Sequence, residues 1–233
     1  GALHFVKTLD EAARTAVALA RGKRPDARRG TPSMRSLPKF SASQRFVRGL
    51  YSGGTFCYEA SMLLGPRFDD TWSNASVRAD RALDNPWKSR AHTVVDLGDD
   101  VFTRGRPHPM IDHRLRNERM LKESSDPGVA VILLDIVLGH GAHSDPASVM
   151  VPTIEAARAR ATKGGRHIAF VGFICGTAAD PQDLIRQTKA FEKAGVLLGQ
   201  SNAEAVSISV ALVAPLATIN RKPVGSSRKG KRA

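Results

Sequence analysis

Residues 129–138 read VAVILLDIVL, an apolar run broken only by Asp135. A strand with one face in water alternates apolar and polar side chains. An unbroken run of this length instead fits a strand covered on both faces, as in a parallel sheet. Working outward, similar runs recur at 46–51, 93–97, 167–174 and 196–200. Segments with helical spacing lie between and after them, at 55–64, 113–124, 148–163, 183–194 and 202–213. Five β/α units in succession predict an α/β fold: a doubly wound parallel sheet of about five strands, helices on both faces, and right-handed crossovers. Residues 65–91, with Trp72 and Trp87, read as an irregular insertion.

In such sheets ligands bind beyond the carboxyl ends of the strands. Four segments therefore carry the functional expectations. The first is Ser52-Gly53-Gly54-Thr55, a turn whose glycines allow close approach to the backbone, with Thr55 placed to cap the next helix. Free amides at that helix start suit phosphate or carboxylate, although an ordinary strand-to-helix turn has the same composition. The GK[ST] ending of a P-loop is missing, and no G-x-G-x-x-G follows a strand.

The second segment, 96–112, reads DLGDDVFTRGRPHPMID. Arg104 and Arg106 are candidate anion ligands, and His108, held between two prolines, is a candidate proton-transfer group or an orienting one. Asp112 reads as an N-cap for the helix at 113–124. Asp99 and Asp100 are supporting acids; no partner cluster at ligand spacing makes them a metal site. The third segment, 139–145, is GHGAHSD, where Gly139 and Gly141 suit a flexible ligand-lining loop. Its two His lack the Cys pair or HExxH helix of a zinc site. The fourth begins Cys175-Gly176-Thr177. Cys175 is a candidate nucleophile, with apolar packing as the plainer reading, and Gly176 and Thr177 are candidate anion contacts. Cys57 reads as packing.

Charge looks informative until it is located. The net charge is +13, but 23–45 holds seven Lys/Arg against one Asp, and 221–233 holds six Lys/Arg and no acid. What remains is close to neutral. Both segments are Pro/Gly/Ser-rich, and no aromatics interleave the tail, so a linker and a solubilising tail are expected rather than a nucleic-acid surface. The organisation read is an N-terminal linker helix in 1–22, opened by a Thr8/Glu11 capping box, a basic linker at 23–45, the α/β domain at 46–214, and a disordered basic tail at 215–233. No run of about 18 apolar residues suggests a membrane span. Two cysteines and no signal-peptide layout fit a cytoplasmic protein.

Four blocks together, GLYSGGTFCYEA (49–60), VVDLGDDVFTRGRPHPMID (94–112) with LRNERML (115–121), VAVILLDIVLGHGAHSDPA (129–147), and ICGTAADPQDLIRQ (174–187) with FEKAGVLL (191–198), resemble the carboxyl-terminal domain of the FdrA family. That family is similar to the α subunit of succinyl-CoA synthetase. The resemblance covers most of 46–205 and implies a flavodoxin-like CoA-ligase domain. In the relatives an SGT-x-x-YEA turn starts a helix that faces a phosphoryl group; Gly54, Thr55, Tyr58, Glu59 and Ala60 match it, with Gly53 in place of Ser. The relatives also carry a phosphorylated His in a GHAGA segment after the fourth strand, and here CGTAADPQDLIRQ has no His. The Glu that supports that His falls approximately at Ile136, beside Asp135.

The resemblance thus implies an acyl-CoA synthetase module without a phospho-His relay. It would bind an acyl phosphate, carboxylate or CoA-type anion and use CoA or a nucleotide in the complete enzyme. Its expected partner is another subunit or an upstream CoA-binding domain. Alternatives are a carbamoyltransferase subunit handling oxamate and carbamoyl phosphate in allantoin or purine breakdown, and a non-catalytic assembly module.

Overall fold

The computed structural model describes residues 3–25 and 38–219. Within the basic linker, 26–37 lie outside the described residues, as do 220–233 of the tail. In chain order the elements are α1 (Leu9–Ala20), β1 (Phe46–Tyr51), α2 (Gly54–Leu64), β2 (Thr71–Ser73), β3 (His92–Asp96), α3 (Asp100–Thr103), α4 (Arg114–Ser124), β4 (Val129–Val137), α5 (Pro146–Lys163), β5 (Ala169–Cys175), α6 (Leu184–Lys193), β6 (Leu197–Gly199) and α7 (Asn202–Ile219).

The sheet has six strands in the order β2-β3-β1-β4-β5-β6, every neighbouring pair parallel. Leaving out β2, this is the flavodoxin-like winding. One strand more than expected comes from the 65–91 insertion, where Thr71–Ser73 pairs with His92–Val94. Its Thr-Trp-Ser carries no apolar run, unlike the equally short β6, so the sequence hid it. Arg90 and Arg81 lie over the Trp72 ring at 3.9 and 5.2 Å, which places cationic side chains along this short edge.

β4 shows why its sequence is unbroken. Ile132, Leu134 and Ile136 pack into one core with Met120 of α4, Met150 and Ile154 of α5 and Phe191 of α6. Val131 and Leu133 pack into the other with Cys57 and Leu64 of α2 and Val206 and Leu212 of α7. Burying each such side chain contributes about 1.5–3 kcal/mol, and both faces need apolar cover.

Several helix ends differ from expectation. α2 has Gly53 at its N-cap with no side-chain cap, so Thr55 sits inside the first turn instead of capping it. α4 begins at Arg114 with His113 in the cap position, while Asp112 accepts from the Arg114 amide at 2.9 Å. Asp99 caps the short α3, a turn the sequence did not announce. α7 continues through Pro215 to Ile219, past the boundary drawn at 214. The capping box of α1 does form: Thr8 Oγ1 accepts from the Glu11 amide at 3.1 Å, and Glu11 takes the Lys7 amide at 2.8 Å.

Connections from β1 run over the α2/α7 face, and those from β4 over the α4/α5/α6 face. The winding therefore reverses between β1 and β4, and a crevice for ligand is expected at their carboxyl ends.

Candidate functional site

At that reversal stands Asp135, fully buried on β4. Its Oδ1 accepts the Ser52 amide at 2.9 Å, and its Oδ2 accepts from the Ser52 hydroxyl in a short hydrogen bond. On its other side, Arg116 of α4 lies 3.2 Å from Oδ1 and also donates from Nη1 to the Asp135 carbonyl. One carboxylate thus joins the end of β1 to α4. Nothing in the local sequence pattern around either Asp135 or Arg116 signals this pairing.

Around Gly98, just beyond β3, three further groups converge. A Cβ at this position would meet His108 Nε2 at 2.7 Å, the Ser52 carbonyl at 2.7 Å and Asp96 Oδ1 at 3.1 Å. Only glycine fits this close approach. His108 Nδ1 accepts the Met110 amide at 3.2 Å, so the neutral ring carries its proton on Nε2, the nitrogen turned toward Gly98. Asp96 accepts from the Gly98 amide at 2.8 Å and also lies against Gly54, 3.1 Å from where a Cβ would stand. Burial holds the Asp96 carboxyl above its usual range, with Asp99 and Asp135 acting in the same direction and the Gly98 amide and His108 against it. The acid at this junction is thus Asp96, whereas the sequence points to Asp99 and Asp100. Asp99 caps α3 and takes a hydrogen bond from Asn74 at 3.2 Å, and Asp100 is exposed in its first turn.

The amino end of α2 opens on a cleft of about 660 Å³ between α1 and α2. Gly54, Thr55, Tyr58 and Glu59 line one side, Lys7, Thr8 and Leu9 the other. Glu59 holds the two together: its Oε1 accepts the Leu9 amide at 2.7 Å and its Oε2 accepts from Asn202 at 2.8 Å. Asn202 in turn accepts from the Tyr51 hydroxyl at 2.7 Å. Glu59 therefore fixes α1 against α2 and α7 through neutral donors. The first amides of α2 have no partner within the helix, and the uncapped Gly53 leaves that end without a side chain of its own.

The remaining candidates spread along the same edge. Cys175 lies beside Val137 in the β4–β5 register, half-buried. Burial, then Asp135 and Asp180, push its thiol up, away from the thiolate a nucleophile needs. Cys57 is fully buried and packs against Ser73. The Thr177 amide donates to Asp180 at 2.6 Å, and Gly176 packs against the Leu138 side chain. Gly139 is clamped by Gln182, which accepts its amide at 3.0 Å and donates to its carbonyl at 2.7 Å. At the other end of the 139–145 loop Asp145 caps α5 and pairs with Arg186 at 2.8 Å. This loop, read as flexible, is tied down at both ends, and Gly141 is exposed between them. Arg104 is exposed at the end of α3. Arg106 lies over the Trp87 ring at 5.8 Å and lines a separate groove with Pro107, Asp112 and Glu118. Ser52, Gly54, Gly98 and His108 are thus brought together, whereas the Arg106 guanidinium is directed to the insertion.

Among the described residues no three His, Cys, Asp or Glu side chains are grouped to hold a metal, and no helix is long and apolar enough to cross a membrane.

An uncharacterized protein of Escherichia coli (strain K12), YahF, is 36% identical over 204 residues, which is 86% of this chain and 40% of the relative. The chain thus spans about two fifths of that relative's length. The crystal structure of PH0766 from Pyrococcus horikoshii OT3 aligns with 92% of this chain and 41% of its own, at a TM-score of 0.40 and 13% identity. The family model of the CoA-ligase domain matches residues 50–212, from the end of β1 into α7, and the chain belongs to that family.

Proposed function

We propose that this chain is the CoA-ligase module of a larger, FdrA-like acyl-CoA synthetase, binding an acyl-phosphate, carboxylate or CoA-type anion at the amino end of α2. The observation that carries the reading is the cleft of about 660 Å³ at that end, which pairs the uncapped helix start with the apolar Val6, Leu9, Ala12 and Met62. Helix dipole and free amides attract the anionic head. The apolar walls suit the uncharged remainder of an acyl or thioester group. Lys7 at the mouth adds a positive charge.

His108 is the proton-transfer group in this reading. Its Nε2 stands beside Asp96 and the Ser52 carbonyl, next to α2. Ser52, Gly53, Gly54 and Thr55 hold the anion, and Glu59 supports the cleft by fixing α1. Cys175 is a packing thiol in this reading, set against the apolar core and with a raised pKa. The absence of His from the segment following β5 favours chemistry without a phospho-His relay. The partner is a CoA-binding domain or subunit.

Gly53→Asp tests the reading. The position is extended, with φ −163°, and a Cβ there meets nothing within 4 Å. Asp at an N-cap is as good as or better than Gly by a few tenths of a kcal/mol, so the fold is expected to hold. Its carboxylate would occupy the helix end and repel an anion. Calorimetric titration with acetyl phosphate, carbamoyl phosphate and CoA should show binding to the parent chain, weakened at least tenfold in the variant. Unchanged affinity in Gly53→Asp would move the site elsewhere.

A further inference from the structure

We propose that the chain holds a second oxyanion site, on the α4 side of the β1–β4 reversal, with Arg116 as its bidentate donor and His113 and His143 beside it. It goes beyond the reading above, since α4 packs on the opposite face of the sheet from α2.

Arg116 is fully buried, and only its Nη1 is engaged, by Asp135. Its Nε and Nη2 have no hydrogen-bond partner in the protein. Those two nitrogens lie on one edge of the guanidinium, the edge that takes a carboxylate or phosphate with two parallel hydrogen bonds. His113, at the cap position of α4 and 3% exposed, has no partner at either ring nitrogen. His143 stands with its ring centroid 5.3 Å from that of His113. Its Nδ1 accepts the Asp145 amide at 3.0 Å, leaving Nε2 to donate. His143 is half-buried, so it is the member of the set that reaches solvent.

Leaving a buried polar group unpaired costs about 1–3 kcal/mol, and more for a charged one. Here two such side chains stand in electrostatic contact, and the cost has no local return. The acids nearby do not supply it. Asp135 is shared between Arg116 and Ser52, and Asp112 is held by Arg114 at 2.8 Å. Burial, then Arg116 and His143, push His113 down to about 3, while Asp112 opposes them. A small oxyanion would engage the free Arg116 edge and reverse the sign of the field on His113. The amino end of α4, an 11-residue helix whose first amide is taken by Asp112, adds a partial positive charge beside His113. The ligand is a small carboxylate or phosphate.

Titration of the full chain with sodium phosphate and, separately, sodium acetate tests this, using Arg116→Lys, His113→Leu and Gly53→Asp. Lys keeps a cation beside Asp135 but cannot grip an oxyanion with two bonds. Leu at 113 removes no hydrogen bond, so this variant keeps the fold if Arg116→Lys does not. The expected result is phosphate or acetate binding at two sites, one of them weakened at least tenfold in Arg116→Lys and His113→Leu and retained in Gly53→Asp, which loses the other. The stronger of the two anions names the ligand class. Loss in Gly53→Asp alone overturns this site and leaves the α2 site standing. Loss in Arg116→Lys and His113→Leu alone supports it and removes the α2 site. No anion binding at all, or a crystal structure in phosphate with water on Arg116 Nε and Nη2, also overturns it.

Discussion

Asp96 carries a cost at neutral pH. Its folded pKa lies above the unfolded one, so the folded chain binds more protons than the unfolded chain between those two values. Stability therefore falls as pH rises through that window and stays reduced above it. Asn at this position keeps an acceptor for the Gly98 amide and removes the charge. Asp96→Asn is expected to unfold at a higher denaturant concentration than the parent at pH 7, with the gain disappearing near pH 3. The same change removes a negative charge next to α2. Phosphate-type ligands should then bind several-fold tighter, since a unit charge about 4 Å away is worth about 1–4 kcal/mol between bulk water and a protein surface. Equal stability curves at pH 7, or weaker ligand binding, would contradict this account of the residue.

α4 is fastened to the sheet by charge as well as by packing. Arg48, in the middle of β1, donates to Glu123 at 2.9 Å and to Asp126 at 2.8 Å. Glu123 also accepts from Arg119 and from Ser89, both at 2.6 Å. Arg48, Arg119 and Glu123 are all buried. The sequence signalled none of this: an Arg inside an apolar strand reads as an interruption until its partner arrives from another element. Glu123→Ala would take the shared carboxylate from two buried guanidinium groups, leaving Arg48 with Asp126 and Arg119 with Ser89 and the Pro86 carbonyl, and breaking a buried pair in this way costs roughly 3–5 kcal/mol. Urea unfolding should show a lower midpoint with little change in slope. A cost below about 1 kcal/mol would mean that solvent reaches the cluster. Since α4 also carries His113 and Arg116, its position sets the second anion site.

Acid sensitivity of the fold is a collective property. His92 is buried, stacks on Phe68 with ring centroids 4.1 Å apart, and accepts the Val47 amide at 3.2 Å. Burial pushes it down to about 4, with Asp70 opposing, and His113 lies at about 3. Both rings are neutral in the fold and take protons more readily when unfolded. Their contribution is fully present above the unfolded pKa near 6.5 and is lost as pH falls toward 4 and 3. Melting temperature is therefore expected to drop between pH 6.5 and 4. His92→Gln, which keeps an acceptor for Val47, should flatten that decline; an unchanged slope would show that other groups drive it.

The winding of the sheet was legible because parallel strands covered on both faces must be apolar throughout, and the helix between each pair shows its own period. From local pattern alone came the class of fold, five of the six strands and the edge on which ligands are expected. β2 was not legible, since Thr-Trp-Ser carries no apolar run, unlike the equally short β6, and forms a strand by pairing with the edge of β3. The candidate site was read in part. Gly-rich turns mark where backbone must come close, which drew attention to the Ser52–Thr55 turn, but the side chains that complete the site come from separate elements. Asp135 acquires its role from Ser52 on one side and Arg116 on the other, and Gly98 from the three groups crowding it. Arg106 shows the converse: it belongs to the most suggestive stretch of charge, yet its guanidinium lies over Trp87. Periodicity is a property of neighbours along the chain and fixes elements. Which charges meet depends on contacts between residues from 19 to 83 positions apart, and only the packed tertiary structure decides those.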